Sequence, residues 1–176
     1  MPLQPEHAAV LRGFLVTSLI NEHPVTTRVI DAIPQTNCSY RPDDIVKSAF
    51  DLAWHIVTAE HRFLSAVANG AFDYSASRPE TIKTVSDVSA WYARTFSEDI
   101  ARVKAVPNEA LVKTVDFRGI LQFPAVVYLQ IGLNHSIHHR GQLSMYLRPM
   151  GAKVPSIYGE SYDATQARLA TRGVSS

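Results

Sequence analysis

The sequence predicts an all-α protein, a bundle of four helices joined by long connections. Four stretches carry apolar residues at three- and four-residue spacing, and the segments between them are rich in Pro, Gly and Asn. The chain has 176 residues, 46% hydrophobic and 19% charged, which suits one domain over residues 1–176 with a substantial core and disfavours a disordered chain.

The first helix is read from Ala9 to Ile33, with Leu11, Phe14, Leu15, Leu19, Ile20, Val29, Ile30 and Ile33 as its apolar set and Pro24 as a point where it kinks or splits. Pro34 to Pro42 is a connector, because two prolines flank the polar run QTNCSY. Asp43 and Asp44 offer an N-cap to a second helix, whose ladder is Ile45, Ala49, Leu52, Ile56, Ala59, Phe63 and Val67. Asn69-Gly70 ends it. A loop through Ser75, Ser77, Arg78 and Pro79 leads to a third helix, capped by Ser86 and packed through Val88, Trp91, Tyr92, Thr95, Ile100 and Val103, with Pro107 closing it. Leu111 to Phe117 alternates enough for a short extended stretch, turned by Arg118-Gly119. The fourth helix is expected from Phe123 to Arg148, with Gly151 as its C-terminal cap. AKVPSIYG then reads as extended, and the tail from Ala164 lacks strong periodicity, which marks it as flexible.

With 17 Lys+Arg against 16 Asp+Glu, the chain has no overall basic field to hold a phosphate backbone, so nucleic acid is not an expected partner. The apolar runs fall short of the roughly 20 residues of a membrane helix, and MPLQPEHAAV has no basic segment before a hydrophobic one, so the expected location is cytoplasmic. The single cysteine, Cys38, agrees with a reducing compartment and excludes a zinc site built from cysteines. Chemical interest therefore falls on the seven histidines.

His135 and His139 are four apart in LNHSIHHRGQL and project side by side from one helical face, in the same row as Ile131 and Leu143. Two imidazoles so placed can share a metal, although the same spacing also suits two half-buried polar residues. No Glu follows His135, so the metalloprotease pattern H-E-x-x-H is absent. His55, in AFDLAWHIVTAEHRFL, lies near the apolar ladder of the second helix, where it is either an interior ligand or a packed core-edge residue. His61 and Glu60 turn away from His55 on the wheel and read as surface groups.

The strings NHSIHHRGQLSMYLRPMGAKVPSIYG, DLAWHIVTAEHRFL and TTRVIDAIP, in this order and separation, resemble the DinB (DinB/YfiT-like) superfamily. The HHRGQL…YLR…G…VP…YG pattern is the specific part. The resemblance implies an up-down-down-up bundle in which one histidine of the second helix and two of the fourth hold a divalent metal. Position by position these are His55, His135 and His139. His138 stands inside the motif but points about 60° from His135 and about 100° from His139, so it is left out. Three nitrogen ligands leave a position open, as in catalytic sites, and Zn and Ni both suit imidazole.

Relatives in the superfamily include metal-dependent transferases that activate low-molecular-weight thiols. The resemblance therefore implies a small-molecule substrate, a thiol S-transferase acting on small electrophiles, and a homodimer. The alternatives are metal-assisted hydrolysis and a non-catalytic, stress-related metal-binding protein whose ion clamps two helices. Around the motif, Arg140 is expected to pair with a carboxylate across the bundle and Gly141 to allow close helix approach. Gln142 is placed to orient a metal-bound water, while Tyr128 and Tyr146 line the cavity. The reference histidine pKa near 6.5 gives loss of metal as pH falls from about 7.5 toward 5.

Overall fold

The apolar ladder of the second helix faces inward as its spacing requires. In the computed structural model, which describes residues 2–173, Ala49, Leu52, Ile56, Ala59, Phe63 and Val67 are all buried along α2 (Ala49–Asn69). Ile45 is not, with 93% of its surface exposed. The helix starts later than Asp43-Asp44 suggests, because the Asp43 carboxylate accepts from Ile45 N at 3.0 Å and so closes a local turn of its own. Ser48 is the cap, accepting from Asp51 N at 3.1 Å. Gly70 ends the helix with φ 74°, a left-handed conformation that glycine adopts without penalty.

α1 spans Pro5–Asp31 and continues as helix through Pro24, neither split nor ended there. Leu15, Leu19, Val29 and Ile30 are buried, whereas Leu11, Phe14 and Ile20 of the expected apolar set are exposed. α3 (Val85–Ala105) begins at Thr84 rather than Ser86. Thr84 accepts from Asp87 N while Asp87 accepts from Thr84 N, a reciprocal cap with Asp in the place usually taken by Glu or Gln. A one-turn helix, α4 (Asn108–Leu111), follows Pro107.

The extended stretch is half of a hairpin. β1 (Thr114–Phe117) pairs antiparallel with β2 (Leu121–Pro124), Val115 opposite Phe123, around a turn in which Arg118 and Gly119 both have positive φ. Consequently α5 starts at Val127, not at Phe123, and runs to Leu147. Tyr128, at its first turn, donates its hydroxyl to the Val115 and Leu121 carbonyls at 2.9 and 3.0 Å. That residue anchors the hairpin to α5 and does not line the candidate site. Past α5, Gly151 takes φ 77° and the chain returns to α6 (Tyr162–Gly173), a helix where the sequence shows no strong period. Arg148 pairs with Asp163, whose carboxylate also accepts from Val154 N, and these bonds fix the return.

The chain is thus mostly helical, 63% of it, with one small two-stranded sheet. α2 packs against α3 and α5, and α1 against the same two helices. Among the described residues no helix is long and apolar enough to cross a membrane.

α2 and α5 approach closely at Gly132. A Cβ added there would lie 2.9 Å from Cβ and 3.2 Å from Cγ of Phe63, and the first of these atoms cannot move without moving α2. Gly141, expected to serve this purpose, is exposed and a Cβ added to it meets nothing within 4 Å. The two glycines make opposite predictions under the same substitution. Gly132→Ala should lose about 1–2 kcal/mol, overpacking outweighing the helix-propensity gain, whereas Gly141→Ala should gain up to about 1 kcal/mol. Thermal melts of the two variants check this: a stable Gly132→Ala protein would mean that the helices are not in close contact there.

Candidate metal centre

His55 on α2 and His135 and His139 on α5 converge in space. One ligand nitrogen from each falls within 4.8 Å of the others. The ring centroids are 4.9 Å apart for His55–His135, 4.7 Å for His55–His139 and 4.4 Å for His135–His139. The α5 pair follows from four-residue spacing on a helix, and the third ring arrives because α2 runs antiparallel across the same seam. Phe63 lies beside Gly132 and His135, and eight residues earlier on α2 His55 meets His139.

Each ring is held differently. His139 Nδ1 lies 2.9 Å from Gln142 Oε1, and Gln142 Nε2 donates to the Tyr146 hydroxyl at 3.2 Å. With its amide N–H committed to Tyr146, Gln142 accepts from His139 Nδ1–H. The proton is thereby fixed on Nδ1, and Nε2 keeps its lone pair. That bare Nε2 is 3.3 Å from His55 Nε2. Two nitrogens bound to a tetrahedral ion at about 2.0–2.1 Å would lie about 3.4 Å apart, so this edge has the required width. The His135 ring is tilted against Phe63 with centroids 5.8 Å apart, and its Nδ1 is buried with no hydrogen-bond partner among the described residues, an uncompensated polar atom.

The electrostatics keep two of the rings neutral. Burial, followed by the charges of His139, Lys47 and Arg62, holds His55 down to about 4. Burial again, followed by His139, His55, His138 and Arg62, holds His135 down to about 3. Neutral imidazoles are the form that binds metal, so these two are ready to coordinate at neutral pH without first losing a proton. For them the competition between protons and metal lies near 4 and 3, below the range that the reference value gives. No carboxylate or thiol joins the three rings among the described residues.

The neighbours divide between expectation and correction. His138 is exposed, as its angle on the wheel requires. Arg140 is 1% exposed and pairs with Glu22 on α1, with further bonds to Thr26 at 3.3 Å and the Tyr158 hydroxyl at 2.7 Å. It has the structural partner expected of it. Gln142 orients His139 rather than a water, and Tyr146 orients Gln142. Glu60 is not a solvated charge: it is 3% exposed, accepts from the Tyr92 hydroxyl at 2.7 Å, and burial raises its pKa to about 6. Its position four residues from both Ile56 and Leu64, two core side chains, is the signal that could have revealed this. His61 keeps 37% of its side chain exposed, as a residue turned away from His55 can, while its Nδ1 is bound to the carboxylate of buried Asp99 on α3.

Three comparisons place this arrangement among known proteins. The sequence model described as the DinB family matches residues 13–172. The uncharacterized protein YjoA of Bacillus subtilis (strain 168) is 27% identical over 140 residues, which is 78% of this chain and 89% of that protein. The crystal structure of YjoA, titled a DinB-like protein, superposes with a TM-score of 0.69 at 25% identity, covering 81% of this chain and 96% of that one. A DinB-like protein from Bacillus cereus ATCC 10987 gives a TM-score of 0.69 at 23% identity, covers 82% and 95% respectively, and supports the fold. With most of its length matched by the family model and three histidines gathered where a metal ion could be held, the chain belongs to the DinB family.

Proposed function

We propose that this protein binds a divalent metal through His55, His135 and His139 and uses it to transfer a low-molecular-weight thiol to a small electrophile. The reading is carried by one observation: three imidazole nitrogens lie within 4.8 Å of one another, with no carboxylate or thiol of the described residues among them. Three neutral ligands leave the full charge of a divalent ion to be balanced from outside, which favours an anionic fourth ligand. The ion would supply a Lewis-acidic position that lowers a thiol's pKa and holds the thiolate for attack. The chain's part is to orient and to exclude water. Tyr146 and Gln142 fix the tautomer of His139, Phe63 walls His135, and partial burial, with a smaller push from the charge of Arg62, keeps the half-buried rings of His55 and His135 neutral. Zn and Ni both fit an all-imidazole donor set.

Three subsidiary proposals and two alternatives accompany this one. The packing of α1 and α2 each against α3 and α5 supports a four-helix bundle in up-down-down-up order. The exposed Val10 and Phe14 of α1 offer apolar surface for a homodimer, which sedimentation would detect. A cytoplasmic location suits a thiol-using reaction. Without turnover, an ion at this seam would still clamp α2 to α5, and metal-assisted hydrolysis would need no thiol.

Elemental analysis of freshly purified protein, followed by turnover assays with thiols and electrophiles, tests the main reading. His55→Ala and His139→Ala should retain the fold, lose most bound metal and lose thiol-dependent turnover, whereas His138→Ala should keep both metal and turnover. Turnover that survives metal removal refutes the proposal. Turnover without thiol favours hydrolysis, and a large fall in Tm on chelation with no turnover favours the clamp.

The metal-free protein carries its own pH signature. The pKa values of His55 and His135 are depressed in the folded state to about 4 and about 3, against 6.5 when unfolded, so the unfolded chain binds more protons between these values. Their neutral packing contributes stability that is fully present above pH 6.5 and is lost progressively as pH falls toward 4 and 3. In excess chelator, Tm should therefore decline with acidification below 6.5, and the decline should be shallower in His135→Phe. An equal slope in both proteins would mean that the ring is not buried neutral.

A further inference from the structure

A cavity of about 440 Å³, within the range of small-molecule sites, opens between α2, α3 and the loop that joins them, and none of the three histidines lines it. Its apolar wall is Trp54 and Trp91, packed edge to face with ring centroids 4.9 Å apart. Its polar wall is cationic: Arg62, Arg78 and Arg102 line it against one carboxylate, Asp73.

These charges are not equivalent. Arg102 is tied to Asp99, Ser65 and Asn69, and Arg78 donates to Asp51 at 2.9 Å. Asp73 is occupied by the backbone and hydroxyl of Ser75 at 2.8 and 2.7 Å. Arg62 has no carboxylate, carbonyl or hydroxyl as hydrogen-bond acceptor among the described residues. Its guanidinium lies 5.6 Å from the Tyr74 ring centroid, and its charge acts on the Asp73 carboxylate with no hydrogen bond between the two. A planar fork with its donors unused, next to an aromatic wall, is matched by a carboxylate that accepts two N–H bonds and carries an apolar body. Asp99 keeps the back of the cavity in place by holding His61 and Arg102 together.

We infer that this cavity is a binding site for small organic carboxylates with an aryl or similarly flat apolar group, Arg62 taking the carboxylate and Trp54 and Trp91 the apolar body. Arg62 follows His61, which lines the same cavity, and both stand on α2, the helix that carries His55. The inference does not depend on a metal being present.

The chain has two tryptophans, and both line this cavity, so intrinsic fluorescence reports on it directly. We would titrate the protein, as purified and after chelation, with phenylacetate and with its neutral counterpart phenylacetamide at constant ionic strength. The expected result is a saturable change in tryptophan emission with phenylacetate, at least tenfold weaker binding of the amide, and at least tenfold weaker binding of phenylacetate to Arg62→Gln. Arg62 is partly exposed and outside the core, and a circular dichroism melt would confirm that Arg62→Gln is folded. Arg168→Gln, on α6, should bind as the unaltered protein does. Equal affinity for acid and amide, an Arg62→Gln variant that binds normally, or no saturable change with millimolar ligand would each overturn the proposal. Because fluorescence is read with and without chelator, success here is independent of whether the metal reading holds.

Discussion

The close approach of α2 and α5 at Gly132 is the contact on which the rest of the site depends. A hydrogen in place of a side chain lets the backbone of α5 settle against Phe63, and this separation brings His55 Nε2 to 3.3 Å from His139 Nε2. A wider seam would leave the α5 pair intact, since it is set by helical pitch, but would withdraw the third ring. Phe63 has two roles here. It is the surface against which Gly132 packs and the wall that removes water from His135. The lowered histidine pKa values therefore follow from packing, as does the capacity for metal.

A second set of bonds secures the opposite side of α5. Arg140 follows His139 in the sequence but faces another direction, to Glu22 and Thr26 on α1 and to Tyr158 on the returning C-terminal segment. A guanidinium only 1% exposed requires such partners, because losing one from a buried ion pair costs several kcal/mol. α5 is thus fixed in rotation from both sides. The polar groups of α2 obey the same rule on its α3-facing side, where Glu60 is satisfied by Tyr92, and His61 by Asp99.

Residues whose role depends on near neighbours were legible in the sequence. The ladder of α2 showed because its burial is one-sided, the H-x3-H pair because helical spacing alone places it, and the outward direction of His138 for the same reason. Several features set by distant partners were not, although the cross-bundle ion pair of Arg140 was. Glu60 and His61 look like solvated groups until Tyr92 and Asp99, on another helix, are brought against them. Gly132 and Gly141 are indistinguishable by propensity, and only the position of Phe63 separates them. The second hairpin strand, Leu121–Pro124, is short, ends in proline and buries no alternate face, so it merged with the helix that follows it. α2 was begun too early because Asp43 has the chemistry of a helix cap and uses it to close a turn instead.

The third histidine is 84 residues away from His139 along the chain. In an unfolded polypeptide only His135 and His139 are close enough to hold an ion together, and then only where that stretch is helical. The complete ligand set exists only where α2 is docked on α5, which is a long-range contact and not a property of either helix alone. An ion held by all three rings would therefore favour the docked arrangement over any state in which the two helices are apart, so that the spacing of three residues couples metal occupancy to the tertiary structure.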